Sequence, residues 1–465
     1  MSKNTAPTRR TLVKFLATSP LLPLIGGVDC IAAPQPANGR KGAIPGLPRP
    51  ALGLGYDTLD GYTFDHVAGA RHNLLASGQL QGSGMIQLLG GGVEAADASA
   101  DTIGARGSLF VTGTLPGDDP AAYGVMTLLV HVAPTARNAS FKQIQVVVAR
   151  GTVSQAVNFN VMLRPGRHTL ALDMATQCPL VVAAGRGPTT VRVAVNQSAP
   201  NAANVSVDAL LVNAKGRPTW VVTGDDGYKT HRDVLWPILK ARHIPLTMYI
   251  PTGQVGEGNG KFARLSWADL RAFKALAGEA LSYGTNTTTD VSVLSYASKE
   301  AAGNLRQSWA DFTAERLDSP AMYHMALSNG EYSEAQLAAL DAAGMKTYRS
   351  TRSPTDQQGN FTRFGIYQNN VMSRGFGTKA DSSPTIPLAT TMAAMDHNDA
   401  IGGTMFVHFH QVGATYADCG AIGCTTDYAT AVADRIKASV DAGGVALTVD
   451  QWYARDSVQL FPDLS

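Results

Sequence analysis

Charge is scarce in this sequence. Only 16% of its 465 residues are charged, against roughly 25% in an ordinary soluble protein. The 38 Lys and Arg nearly cancel the 36 Asp and Glu, leaving a net charge of +2. That balance offers no extended field to nucleic acid or to an anionic membrane surface, which excludes a generic polyelectrolyte binder. Long apolar runs are also lacking. Beyond residue 30 no stretch approaches the roughly 20 residues that a transmembrane helix needs, and no charge block reads as a disordered tail. What is plentiful is hydrophobic residues, at 45%, and a length that predicts two or three domains with full cores.

The first 33 residues read as an export signal. Arg9-Arg10 with Leu12 and Lys14 precede a mild apolar stretch from Phe15 to Val28 and the small residues Ala32 and Ala33. This layout is that of a signal peptide, and the Arg pair resembles the twin-arginine type, which implies bacterial export of a folded protein to the periplasm or beyond. Cysteine is scarce as well. Cys30 leaves with the signal, Cys419 and Cys424 enclose a short loop that suits a local disulfide in an oxidising compartment, and Cys178 reads as a buried small apolar residue.

Residues 34–50 carry Pro34, Pro36, Pro45, Pro48 and Pro50 and read as a linker. Residues 51–215 show short strand patterns separated by Gly, Pro, Asn and Asp. Candidates are Gly84–Leu89, Ser108–Gly113, Val125–Ala133, Gln143–Ala149, Val157–Leu163, His168–Asp173, Thr190–Asn196 and Val205–Val212, a rhythm that predicts a jelly-roll-like β-sandwich. From 218 to 465 strands alternate with helices. Strand patterns at Trp220–Val222, Leu246–Ile250, Thr404–His408 and Val445–Thr448 interleave with helical ones at His231–Arg242, Ser266–Leu276, Ser298–Arg316 and Ser333–Ala343. This predicts an α/β fold with a parallel sheet, barrel or doubly wound.

The chemistry-bearing segment is Val221-Val222-Thr223-Gly224-Asp225-Asp226-Gly227-Tyr228. Two adjacent carboxylates leave an apolar strand on a glycine-flanked turn, where one can bind a metal while its neighbour takes a proton. If Val407–Val412 is extended, His408 and His410 face the same side and could chelate a metal together. His324 and His397 read as loop residues.

Asp-Asp-Gly-Tyr, a helix, and then His243-Ile244-Pro245-Leu246-Thr247-Met248-Tyr249-Ile250-Pro251-Thr252-Gly253 resemble the opening of the NodB-like polysaccharide deacetylases, carbohydrate esterase family four. Leu265–Leu270 and the stretch from Gly330-Glu331-Tyr332 to Gly344-Met345 look like later parts of that family, so the resemblance spans roughly residues 218–455. It implies a distorted (β/α) barrel, a divalent ion and hydrolysis of N- or O-linked acetyl groups on a polysaccharide.

By position, the resemblance makes Asp225 the general base, Asp226 the first metal ligand and His408 the proton donor to the leaving group. The family's H-[ST]-x-x-H motif falls on Gly284–Asp290, where Asn286 and Asp290 replace both imidazoles. An Asp226/Asn286/Asp290 set would disfavour tight Zn²⁺ binding and leave Mg²⁺, Mn²⁺, Ca²⁺ or no ion, while strand periodicity offers His410 as a further metal ligand. Tyr228, Ser328 and Asn329 stand where sugar hydroxyls would bind. The competing expectation is a glycan-binding or cell-surface protein on a deacetylase scaffold that lost its metal.

Overall fold

In a computed structural model, the structure describes residues 108–114, 124–132, 141–159, 166–187, 189–197, 205–212, 218–350 and 370–456. The export signal, the linker, the Gly84–Leu89 strand and the chain beyond residue 456 lie outside the described residues. The chain divides into two compact units, residues 1–216 with 458–465, and 217–457. No helix among the described residues is long and apolar enough to cross a membrane.

The first unit holds two antiparallel sheets. Their strands are β1 (Ser108–Thr114), β2 (Val125–Val132), β3 (Phe141–Arg150), β4 (Val153–Phe159), β5 (Gly166–Asp173), β6 (Thr190–Gln197) and β7 (Val205–Val212). One sheet runs β1-β6-β3-β4, the other β5-β2-β7. Alternation sets the buried face of β3, where Val146 and Val148 are fully buried and Val147 between them is not. The expected strand at Val157–Leu163 begins earlier, at Val153, because a Gly151 turn with φ 56° returns the chain directly against β3. Cys178 is buried between two short helices, as its composition suggested, and burial pushes its thiol up to about 11.

The second unit is a nearly closed barrel of parallel strands. In order these are β8 (Thr219–Asp225), β9 (Leu246–Ile250), β10 (Leu281–Thr285), β11 (His324–Ala326), β12 (Thr347–Ser350), β13 (Asn370–Gly375) and β14 (Thr404–Phe409). Each pairs with the next, and β14 returns to β8, placing His408 beside Thr223. Two short strands, β15 (Val412–Gly413) and β16 (Cys424–Thr425), pair beyond the rim. The last, β17 (Val445–Leu447), occupies the edge of β8 at Thr219–Val221, while β9 takes the same edge only at Thr223–Asp225. One extra strand thus wedges the ring open at its N-terminal end. The (β/α) barrel expectation is met in this coarse sense.

Caps and breakers explain the helices that position the mouth. Ser266 closes a reciprocal capping box with Asp269 ahead of the helix Trp267–Ala277. Gly344, at φ 107°, ends Glu334–Ala343 in a left-handed cap. The helix expected over His231–Arg242 opens instead as a π-turn at His231–Leu235 and ends at Lys240. Pro237 has no N–H to donate to the preceding turn, and the Trp236 N–H bonds back to His231 O across the wider turn. His324 starts β11 fully buried, and His397 lies inside the helix Leu388–Ile401. Neither is the loop residue the sequence suggested.

Candidate active site

The C-terminal end of β8 sets the two carboxylates apart. Asp225 is its last residue, buried and paired in register with Tyr249 of β9. Asp226 follows at φ 66° and Gly227 at φ 69°, two successive left-handed residues that turn the chain sharply. Thr287, Asp290 and Asn329, all near the same mouth, also have positive φ. Non-glycine strain gathered in this way is a mark of functional sites.

Asp225 is locked from below. The Arg349 guanidinium, on β12 and 1% exposed, donates to its Oδ2 at 2.6 Å. Arg349 Nη1 also donates to Ser373 Oγ at 2.9 Å. That hydroxyl donates to Ser350 O at 3.2 Å and lies 2.8 Å from His408 Nδ1. With its single proton on Ser350 O, Ser373 Oγ accepts from both Arg349 and His408, which puts the imidazole proton on Nδ1 and leaves Nε2 with its lone pair. The opposite assignment would face two acceptors across the Ser350 contact. His408 Nε2 abuts Gly375, where an added Cβ would stand 2.2 Å away.

The other oxygen of Asp225, Oδ1, is buried without a hydrogen-bond partner. Across from it, His410 Nε2 lies 3.8 Å from Asp225 Oδ2 and 4.0 Å from Asp226 Oδ2. The rings of His408 and His410 are 5.4 Å apart and nearly perpendicular. His231 braces this strand end, its Nε2 donating to His410 O at 2.8 Å. Burial lowers His231 to about 4, so it donates as a neutral ring. Gly224 makes room for it, since a Cβ there would come within 3.0 Å of His231 Nδ1.

On the far side of the turn, Asn286 and Asp290 follow β10. The Asn286 amide nitrogen lies 3.1 Å from Asp226 Oδ1 and 3.3 Å from Asp290 Oδ1, while its Oδ1 accepts from Ser328 Oγ at 2.9 Å. An ionised Asp226 only accepts, so the amide turns its N–H₂ toward it. Burial, then the Asp226 charge, push Asp290 up to about 7, against the opposing Ser328 bond and Arg264 charge. Arg264 Nη2 sits 4.0 Å from Asp290 Oδ2, Nε donates to Asp226 O, and the guanidinium covers the Tyr228 ring.

The structure therefore brings Asp226, Asn286 and Asp290 together. The Asn286 carbonyl oxygen is turned to Ser328. The hydroxyl of Ser328 donates to Asn286 Oδ1. Tyr228 is nearly buried, and Asn329 is exposed. Burial, then the charges of Arg349 and His410, hold His408 well below the usual imidazole value. The expected Cys419–Cys424 disulfide is not formed. Both are free buried thiols, one closing the short helix Tyr416–Cys419 and the other paired in β16 against Val412. Burial pushes the Cys424 thiol up.

Residues missed by sequence reasoning are Arg349, Ser373, Gly375, His231 and Arg264. A signal existed for the first. Gly344 ends a helix, so Thr347-Tyr348-Arg349-Ser350 should be a strand, and a charge in a wholly buried strand needs a partner.

No family model and no curated protein matches this chain. Solved structures do match. A family 4 carbohydrate esterase from Streptomyces lividans, in complex with acetate, is 11% identical, with a TM-score of 0.31 over 50% of this chain and 91% of that one. A T48 deacetylase with substrate is 14% identical, with a TM-score of 0.32 over 52% of this chain and 94% of that one. A Streptococcus pyogenes deacetylase in complex with acetate is 18% identical, with a TM-score of 0.26, and the match covers 29% of this chain and 56% of the deacetylase, little more than half its length.

Proposed function

We propose that this chain is an exported hydrolase that removes acetyl groups from a polysaccharide at the C-terminal mouth of its barrel. The observation that carries this reading is the unequal environment of neighbouring carboxyl groups. Asp290 keeps a proton up to about pH 7, while Asp226 Oδ2 faces His410 at 4.0 Å. Carboxyls whose environments differ can divide acid and base work between them.

In this reading Asp226 Oδ2 takes the proton of the attacking water, and Asp290 gives its proton to the departing sugar oxygen or nitrogen. Asn286 spans the two and keeps each in place. Asp225, expected to be the base, has one oxygen held by Arg349 and serves to orient the mouth. A divalent ion, when bound, would polarise the acetyl carbonyl as a Lewis acid. The exposed Asn329 offers its amide to sugar hydroxyls. The two antiparallel sheets of the first unit, read as a β-sandwich, would grip the glycan, and Arg9-Arg10 would direct export.

Acetate release from acetylated xylan, chitooligosaccharides and acetylated cell-wall glycans tests the reaction. Asp226→Asn should lower kcat/KM by about 10³, and kcat/KM should fall as pH rises through about 7, because Asp290 must hold its proton. Full activity in Asp226→Asn would end this assignment. Arg9→Lys with Arg10→Lys should strand folded precursor in the cytoplasm; continued export would remove the twin-arginine reading.

A further inference from the structure

We infer that the ion site of this barrel lies at Asp225, His408 and His410, on the opposite side of the Asp225-Asp226 turn from the motif that would be expected to hold it. One carboxylate oxygen and one ring nitrogen from each His lie within 4.8 Å of one another, close enough for a single ion to reach all three. Asp225 Oδ1 is buried and has no hydrogen-bond partner, a desolvated acceptor that a cation would satisfy. The Ser373 contact to Nδ1 orients the His408 ring and leaves Nε2 as the donor atom, the outer-shell arrangement that ligating imidazoles usually have. Gly375 lets the His408 ring sit where a side chain would otherwise stand. His410 is held by the His231 bond to its carbonyl oxygen, and its side chain is 20% exposed.

Two imidazoles and a carboxylate form a mixed nitrogen and oxygen set. It suits Zn²⁺, Co²⁺ or Fe²⁺ and disfavours Mg²⁺ and Ca²⁺, which prefer all-oxygen shells. On the Asn286 side an amide N–H₂ lies within hydrogen-bond distance of both carboxylates, which disfavours a cation in that arrangement. The inference rests on the hydrolase reading for what the ion does, but not for where it binds.

The test uses the full chain stripped with chelator, titrated with Zn²⁺ by calorimetry and with Co²⁺ by visible absorption. Wild type should bind one ion per chain, with Co²⁺ bands typical of nitrogen ligands. His410→Ala should weaken binding at least 100-fold, and His410→Gln should do the same with thermal unfolding unchanged, which separates lost ligation from lost fold. Asp290→Asn should bind within threefold of wild type. Loss of binding in Asp290→Asn with retention in His410→Ala, or no ion bound by wild type, would overturn the inference. Stoichiometric binding through His410 without acetate release from any glycan would leave the site standing and remove the hydrolase reading. Acetate release by protein that binds no ion would do the reverse.

Discussion

The two sides of the Asp225-Asp226 turn solve the same electrostatic problem differently. Toward β14, a buried carboxylate is met by a guanidinium and two imidazoles, and one oxygen is left unsatisfied. Toward β10, two carboxyl groups are bridged by a neutral amide, one of them retaining a proton to about pH 7. The first side has a buried carboxylate oxygen without a hydrogen-bond partner, and on the second an amide N–H₂ lies between two carboxyl groups. On our inference the first side takes the cation, while a hydrogen-bond bridge links the carboxyl groups of the second. The difference shows that residue types alone do not define a metal site: Asn286 carries a usable oxygen, but Ser328 turns it away.

The largest effect expected from breaking this contrast is on the imidazole side. Arg349→Met should cost about 3–5 kcal/mol, because it leaves the Asp225 charge buried without its partner. Urea unfolding at pH 7 measures it, and a loss under about 1 kcal/mol would mean that Asp225 is protonated at rest.

Next comes the pH dependence of stability. His231 and His324 are fully buried and protonate only near about 4 and about 3 when folded, against about 6.5 in the unfolded chain. The unfolded chain therefore binds more protons in that window. Stability from each His is complete above about 6.5 and drains as pH falls, by roughly 3 kcal/mol for His231 and roughly 5 kcal/mol for His324. Replacing His324 with Phe should flatten the slope between pH 6.5 and 4; an unchanged slope would mean that this imidazole is not buried neutral.

Gly375→Ala sharpens the comparison at lower cost. Its Cβ would stand 2.2 Å from His408 Nε2, so the ring must rotate, for about 1–3 kcal/mol. The NMR shift of that ring should change while Asp290 keeps its apparent pKa. Movement of both would mean that the two sides are not independent. Smallest is Ser328→Ala, which strands the Asn286 oxygen without a donor for about 1–2 kcal/mol. It frees that oxygen to turn, so it should also raise cation affinity on the Asn286 side, read by calorimetry in a His410→Ala background.

Several elements were legible because their signals are local. Ser266 with Asp269 gave a helix start, Gly344 a helix end, and Val205–Val212 and Leu246–Ile250 match the observed strands. The four strands β10 to β13 escaped notice. Thr347–Ser350 and Asn370–Gly375 are short and polar, since they bring hydroxyls and a guanidinium to the barrel mouth in place of the apolar run that marks a buried strand. The π-turn at His231 escaped as well, because Pro237 reads from sequence only as an early break.

By itself the sequence determined that adjacent carboxylates end a buried strand and that two imidazoles stand two residues apart near another. Those facts need only the period of a strand and the stiffness of a glycine turn. Which of these groups face one another was decided by closure of the barrel. Arg349 reaches Asp225 from 124 positions away, Asn286 reaches Asp226 from 60, and Ser328 sets the amide from 42. Local periodicity carries no information over such separations. The direction of a buried amide follows from the balance of donors and acceptors around it, and that balance exists only once β8, β10 and β11 lie side by side.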